Sequence, residues 1–452
     1  MGRVAMMPQP NDILAELASY PQLLGPRRYV VAYSGGLDST VLLDLVRRAL
    51  PRQPGASLLS VHVDHNLHSE SATWSTHCGE TAARLGVQHV SCAINVDTTR
   101  GESIEAVARD ARYAALAAHV GAGDVLLTAH HRDDQCETVL LQLFRGAGVA
   151  GLAGMPALAN FGNGWRLRPL LSFARDDLLA YAQQFQLHWI DDPSNVDDRY
   201  DRNFLRHKIL PLLRERWPGA AVTVARSAEH SAAAARLMGD IGRKDVAAVS
   251  ASAGTLDITR VSALSRERQQ NALRVWLAGH DLPAPGSVHL EQVRKLLNAA
   301  PDATSVVHWP GADVRRYRNR LYAMVPMEPA PDSDAGEIVP DAVLELPAGL
   351  GELRCETVSG EGLDREQCGD SLSVRFRAGG ESLRPLGGAH RRELRNLYQE
   401  AGLVPWMRDR IPLVYAGDRL VAVADLWLEH ELAANRGSRG LKLSWRGHPP
   451  LY

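Results

Sequence analysis

Apolar and polar positions fall into alternating blocks over the first half of the chain. Short apolar runs ended by turn residues are separated by longer stretches with helical spacing. Tyr29 to Ala32 is one such run, and it leads through a polar turn into an apolar-rich helix carrying Val41, Leu42, Leu43, Leu45 and Val46. Ser57 to Asp64 reads as a second strand and His77 to Leu85 as a helix. Val87 to Ala93 reads as a third strand, Glu102 to Val120 as a helix, and Asp124 to Ala129 as a fourth strand. Asp134 to Phe144 follows as a helix with Gly146 at its C-cap. Strand and helix in alternation predict an α/β unit, a doubly wound parallel sheet whose ligands bind at the carboxyl ends of its strands.

The pattern changes from about Arg175, where the chain turns helical and alanine-rich. A turn is expected at Asp191 to Asn195, a long helix over Ala220 to Val249, two more over Arg266 to Ala278 and His289 to Ala300, and a hairpin over Val306 to Tyr322. Prolines, Asp332, Asp334 and Gly336 mark a linker. The expected organisation is a catalytic domain over 1–215, a helical middle domain over 216–328, a linker over 329–341 and a small mixed α/β domain over 342–452. A length of 452 residues suits two to four domains.

Composition removes several classes of function. Apolar content of 45% and charged content of 23% are those of a globular protein, and no apolar run is long enough to span a membrane. The first residues lack a signal-peptide core, so a cytoplasmic protein with no membrane partner is expected. Five cysteines occur without a Cys-x-x-Cys pair, which excludes a zinc ribbon and a disulfide framework. The net charge of -2 hides a local excess: Arg375 to Arg410 holds eight arginines against four acids, with Tyr398 and Trp406 among them. Such a segment is either a solvated face or an RNA-binding patch, and Arg315 to Arg320 presents the same alternatives.

The turn after the first strand carries the most chemistry. In Ser34-Gly35-Gly36-Leu37-Asp38-Ser39 two glycines let the backbone approach an anion, and the following helix offers unpaired N–H groups and the positive end of its dipole. A carboxylate beside a triphosphate is repulsive without a cation between them, so Asp38 predicts bound Mg2+. No Gly-Lys-Ser/Thr follows, which separates this turn from a Walker loop. Asp133, Asp134 and Glu137 gather at the start of a later helix, where they could bind a metal, orient a cation, accept a proton from an amine, or simply complement the helix dipole. Arg109 and Arg112 share a helix face as candidate phosphate ligands, and Arg145 precedes a glycine-rich run. His62, Asp64 and His65 are a weaker candidate for a metal.

The Ser34 to Ser39 string resembles the pyrophosphate loop of the adenine-nucleotide α-hydrolases, which split ATP into AMP and pyrophosphate. Together with Val61 to Leu67, Glu105 to Tyr113, Ala129 to Thr138, Arg145 to Gly148, Gly151 to Met155, Asp192 to Asn195 and Arg202 to Arg206, the chain resembles the tRNA(Ile)-lysidine synthases. Arg375 to Glu381 and Val404 to Leu413 extend the resemblance towards the C-terminus. The resemblance implies a Rossmann-like fold and a ligase that uses ATP and Mg2+ to join free L-lysine to the wobble cytidine of isoleucine tRNA with a CAU anticodon. The middle and C-terminal domains would then bind the tRNA. Catalytic roles are expected for Asp38, Asp133, Asp134, Glu137, Arg109 and Arg112, ATP contacts for Ser34 to Ser39, and substrate contacts for His130, Arg145, Asn195, Arg202, Asn203 and Arg206. A homodimer stays open. The alternatives are a tRNA thiolase, disfavoured because Cys136 has no sequence partner, a metal-dependent phosphohydrolase and a non-catalytic ATP-sensing RNA-binding module.

Overall fold

The computed structural model describes residues 7–25, 27–64, 71–94, 104–191, 197–299, 305–331 and 334–452. His65 and Asn195, both named as candidates, lie outside these residues. The chain forms two compact units, which divide at residues 237 and 238.

The first unit runs α1 (Pro10–Ala18), β1 (Arg28–Ala32), α2 (Leu37–Ala49), β2 (Ser57–Asp64), α3 (Ser71–Arg84), β3 (Gln88–Ala93), α4 (Ile104–Ala117), β4 (Val125–Leu127) and α5 (Arg132–Phe144). It continues with α6 (Val149–Leu152), β5 (Leu158–Phe161), β6 (Gly164–Leu167), α7 (Arg175–Gln184), α8 (Asp201–Phe204), α9 (Leu210–Arg216) and the first part of α10 (Ala220–Val249). The strands form one sheet in the order β3-β2-β1-β4-β6-β5, parallel except at the β5 edge. The strand order reverses between β1 and β4, and the loops leaving those two strands flank the crevice that such a reversal opens.

Alternation along each strand sorts the side chains into two cores. Tyr29, Val31, Val125, Leu127 and Leu167 pack with residues of α1, α2 and α7 on one face. Val30, Leu59, Val61 and Leu126 pack with Leu116 of α4 on the other, with Tyr113 alongside. The helix that follows the phosphate turn is fixed by charge as well as by packing. Asp44 on α2 is fully buried and accepts hydrogen bonds from Arg47 at 2.8 Å, Arg48 at 2.6 Å and the Tyr181 hydroxyl of α7 at 2.9 Å. Leaving that carboxylate bare would cost several kcal/mol, so α2 and α7 are tied together.

The second unit takes the end of α10 and continues with β7 (Leu256–Asp257), α11 (Ile258–Ser262), α12 (Arg266–Ala278), α13 (Ser287–Leu296), β8 (Val306–Trp309), β9 (Ala312–Tyr317) and β10 (Arg320–Met324). Then come β11 (Asp334–Ile338), β12 (Ala342–Glu345), β13 (Glu352–Ser359), β14 (Leu363–Asp364), α14 (Arg365–Cys368), β15 (Leu372–Arg375), β16 (Ser382–Leu383), β17 (Arg392–Glu393), α15 (Leu394–Ala401), β18 (Leu413–Ala416), β19 (Arg419–Val423), β20 (Trp427–Leu428) and β21 (Arg439–Arg446).

The structure adds detail to two expected domains and places a strand in the expected linker. The helical middle also carries an antiparallel sheet, β7-β10-β9-β8, so the expected hairpin is part of a four-stranded layer. The linker expected over 329–341 contains β11, whose residues pair with β15 and bury Ile338. The region after it is mainly antiparallel sheet, in the orders β11-β15-β18-β19-β20 and β12-β13-β21-β14, with α15 its longest helix. Proline and glycine density announced irregularity, but a strand as short as β11 has too few residues to show alternation.

Replacing Tyr181 by Phe removes one bond to a buried carboxylate and should cost about 1.5 kcal/mol by chemical denaturation. Unchanged stability would show that the Asp44 network does not hold α2.

Candidate active site

Gly35 makes the turn after β1 possible. Its φ is +82°, in the left-handed region, and a Cβ there would lie 2.9 Å from Cys78 Sγ and 3.1 Å from Ile190 Cδ1. The turn is held from inside by Ser39, whose Oγ accepts from Ser34 N at 3.2 Å and donates to Gly36 O at 3.0 Å. It is held from outside by Ile190 N donating to Gly35 O at 2.9 Å. Gly36 caps α2, so the first-turn N–H groups of that helix face the crevice with Asp38 among them. Asp38 Oδ1 is buried without a hydrogen-bond partner among the described residues. An orphaned carboxylate oxygen beside a phosphate-binding turn suits Mg2+, which usually takes one or two carboxylates and completes its shell with phosphate oxygens and water. No group of three or more His, Cys, Asp or Glu side chains placed to hold a metal occurs among the described residues.

Across the crevice, β4 ends in Thr128-Ala129-His130-His131 and leads into α5. His131, fully buried, is the residue that the sequence reading passed over in favour of His130. Its Nδ1 accepts from the backbone N–H groups of Asp133 and Asp134, and the Asp134 carboxylate accepts from His131 N at 3.0 Å. This reciprocal cap leaves Nε2 facing Asp134 Oδ2 at 3.4 Å and Asp38 Oδ2 at 3.6 Å. His131 therefore stands between the phosphate turn and the acidic helix. Burial opposes its charge, but Asp134 and then Asp38 and Asp133 outweigh burial and raise its pKa. A polar residue three positions before an aspartate was the available signal.

The three carboxylates expected on α5 divide. Asp133 accepts from Arg175 N at 2.8 Å and pairs with Arg214 on α9, so its oxygens are committed away from the turn. Glu137 is fully buried, and Arg206 reaches both of its oxygens, at 2.7 and 3.0 Å. Arg202 adds a contact to Glu137 at 3.2 Å and donates to Thr138. Burial pushes the Glu137 carboxyl up, and Arg206 holds part of that shift back. Asp134 shares Arg206 at 2.9 Å and keeps its other oxygen beside His131. Arginines C-terminal to α5 therefore pair with all three carboxylates. Arg206 extends from a single π-helical turn, Leu205–Ile209, between α8 and α9.

Other expected residues lie elsewhere. Asn203 donates to Asp197 O at 2.9 Å. Arg145 is exposed at the far end of α5, about 16 Å along the helix from Asp134. His62 is buried with Nδ1 3.0 Å from Tyr33 O, a structural contact. His130 bonds Thr128 Oγ1 at 3.0 Å, and burial followed by nearby arginines, against Asp134, holds its pKa low. Arg109 and Arg112 point at the Tyr113 ring from 5.8 and 5.4 Å, on the α4 side of the sheet.

In the second unit, much of the arginine excess is used internally. Arg377 pairs with Asp409, Arg391 with buried Glu429, and Arg392 with Glu400. Arg410 donates to Trp406 O and Glu328 O, and Arg408 donates to the Tyr317 hydroxyl. Tyr398 is fully buried, which removes it as a stacking surface for RNA. Arg316 caps α13 through Leu296 O and Leu297 O.

A parallel sheet with an aspartate-bearing Ser-Gly-Gly turn at its reversal point defines a pyrophosphate-loop nucleotide-binding protein. Residues 10–213 match the PP-loop domain family, 256–322 the TilS substrate binding domain and 372–445 the TilS substrate C-terminal domain. The chain is 43% identical over 422 residues to a tRNA(Ile)-lysidine synthase of Methylococcus capsulatus, covering 92% of this chain and 96% of that one. It is 41% identical over 441 residues to the enzyme so named in Alkalilimnicola ehrlichii, covering 96% and 98%. The chain belongs to the tRNA(Ile)-lysidine synthase family.

The cysteines bear on the thiolase alternative. Burial pushes the Cys78 thiol up to about 12 and those of Cys136, Cys355 and Cys368 up to about 11. In native protein at neutral pH, iodoacetamide should therefore label Cys92, the only cysteine that is not buried, well before the other four. Mass-spectrometric detection of fast labelling at Cys78 or Cys136 would contradict this.

Proposed function

We propose that the protein joins free L-lysine to C2 of the wobble cytidine in isoleucine tRNA with a CAU anticodon, at the expense of ATP. The observation that carries the reading is the meeting of the phosphate turn, through Asp38, with the His131, Asp134, Glu137 and Arg206 cluster. An amino acid is a zwitterion at neutral pH, and a site with carboxylates and guanidiniums side by side can meet both of its charges. In this reading Asp134 receives the ammonium, and Arg202 and Arg206, which also hold Glu137, meet the carboxylate.

The reaction divides into two displacements. The C2 carbonyl oxygen of cytidine attacks the α-phosphorus of ATP, and pyrophosphate leaves into the turn formed by Ser34, Gly35, Gly36, Leu37, Asp38 and Ser39. The backbone N–H groups of that turn and of the first turn of α2 stabilise the leaving charge. Mg2+, which fits at Asp38, would neutralise part of the same charge. The neutral side-chain amine of lysine then attacks C2, AMP departs with the former carbonyl oxygen, and the proton lost from nitrogen passes to a carboxylate, the role we assign to Asp134. Arg109 and Arg112 supply positive charge on the RNA side. The TilS-type domains of the second unit bind tRNA, and the expected location is the cytoplasm. Among the described residues no helix is long and apolar enough to cross a membrane.

Incubation with ATP, Mg2+, radiolabelled lysine and an isoleucine tRNA transcript should place label in RNA and release AMP. Absence of both would overturn the reading. Asp38→Asn should slow pyrophosphate release by about 100-fold while tRNA affinity in a filter-binding assay stays within about twofold. Near-normal turnover of that variant would remove Asp38 from the metal-binding role.

A further inference from the structure

The side chains around Tyr113 form a second concentration of charge, opposite in sign to the α5 cluster. Arg166 of β6 stands 5.2 Å from the Tyr113 ring centroid and 5.8 Å from that of Phe161, adding to Arg109 and Arg112. Arg168, just beyond β6, is 4% exposed, and only its Nη1 has a hydrogen bond, to Pro156 O at 2.6 Å. The Nε atoms of Arg166 and Arg168 are buried with no hydrogen-bond partner. Among the described residues none of these four arginines makes an ion pair. Burial first, and then repulsion from Arg166, lowers the Arg168 pKa to about 10. Burial alone would raise the Tyr113 pKa, but the four arginines together lower it. Positive charge at this density, without an ion pair among the described residues, is costly to hold, and it marks a place where an anion belongs.

We propose that Arg166 and Arg168, with Arg109, Arg112 and Tyr113, clamp an internucleotide phosphate of the RNA substrate beside the target base. The proposal rests on the RNA-ligase reading above. ATP is the other candidate anion, and topology disfavours it. The phosphate turn follows β1, and β4 lies between β1 and β6, which puts the clamp two strand spacings away, about 10 Å. The clamp also belongs to the face covered by α4, whereas α2, whose N-terminus receives the triphosphate, packs on the other face. A nucleotide chain can reach both places at once, with its base at the crevice and its backbone at the arginines. Guanidinium forks suit phosphate oxygens, and the Tyr113 hydroxyl supplies a further donor.

The test uses the full chain and Arg166→Gln, with Arg166→Lys as the charge-retaining control. Binding of the isoleucine tRNA transcript is measured from about 50 to 300 mM KCl, alongside equilibrium binding of ATP with Mg2+. Loss of one phosphate contact should flatten the slope of log K against log salt by about 1 and weaken RNA binding roughly five- to tenfold at low salt. ATP affinity should stay within about twofold, and Arg166→Lys should restore most of the slope. An unchanged slope and RNA affinity in Arg166→Gln overturns the clamp, and so does a parallel loss of ATP affinity. If the wild type fails to bind the transcript, the RNA reading falls and takes the clamp with it. If the wild type binds RNA and incorporates lysine while Arg166→Gln binds RNA normally, the clamp alone falls.

Discussion

Asp38, Asp133, Asp134, Glu137 and the imidazole of His131 crowd the carboxyl ends of β1 and β4, and removing that much charge from water costs several kcal/mol per ion unless partners are supplied. The partners come from segments far away in sequence. Arg206 and Arg202 take Glu137, Arg214 and the Arg175 N–H take Asp133, and the His131 N–H takes one oxygen of Asp134. Among the described residues, the buried atoms of this cluster left without a hydrogen bond include Asp38 Oδ1 and His131 Nε2. Both lie where the phosphate turn meets α5, so the gap left by charge compensation coincides with the crevice opened by the sheet.

The same sheet separates the two signs of charge. On β6, Leu167 points into the core beneath α1, α2 and α7, and alternation sends Arg166 to the α4 side. Acids and their arginine partners therefore gather around α5, α8 and α9, and arginines without an ion pair among the described residues gather around Tyr113. For a reaction that must accept a cationic amine and a polyanionic RNA together, the separation is useful.

Much of this was legible from the chain. The phosphate turn could be read because its chemistry is local: two glycines, one aspartate and the start of a helix. Four strands of the sheet could be read because each is a short, largely apolar run, whereas β5 and β6, four residues each and interrupted by Asn160, Gly164 and Arg166, could not. Compensation was not legible, since nothing near Glu137 in sequence reveals that Arg206 lies 2.7 Å away. His131 was missed because two adjacent histidines look equivalent until the helix start is located, and the start fixes which one caps it. Arg166 and Arg168 were missed because an arginine in a strand ordinarily points to solvent. For the C-terminal arginines, composition counts charge but does not show which of them already have acid partners, as Arg377, Arg391 and Arg392 do.

If one crevice activates an RNA base with ATP and then exchanges AMP for lysine, as proposed, the two half-reactions can be separated by withholding lysine. The most direct measurement supplies ATP labelled at the α-phosphate and an isoleucine tRNA transcript without lysine, followed by a lysine chase. Label is then expected on the RNA before the chase and as AMP after it. Label that never enters the RNA, with AMP or ADP formed regardless of lysine, would contradict it.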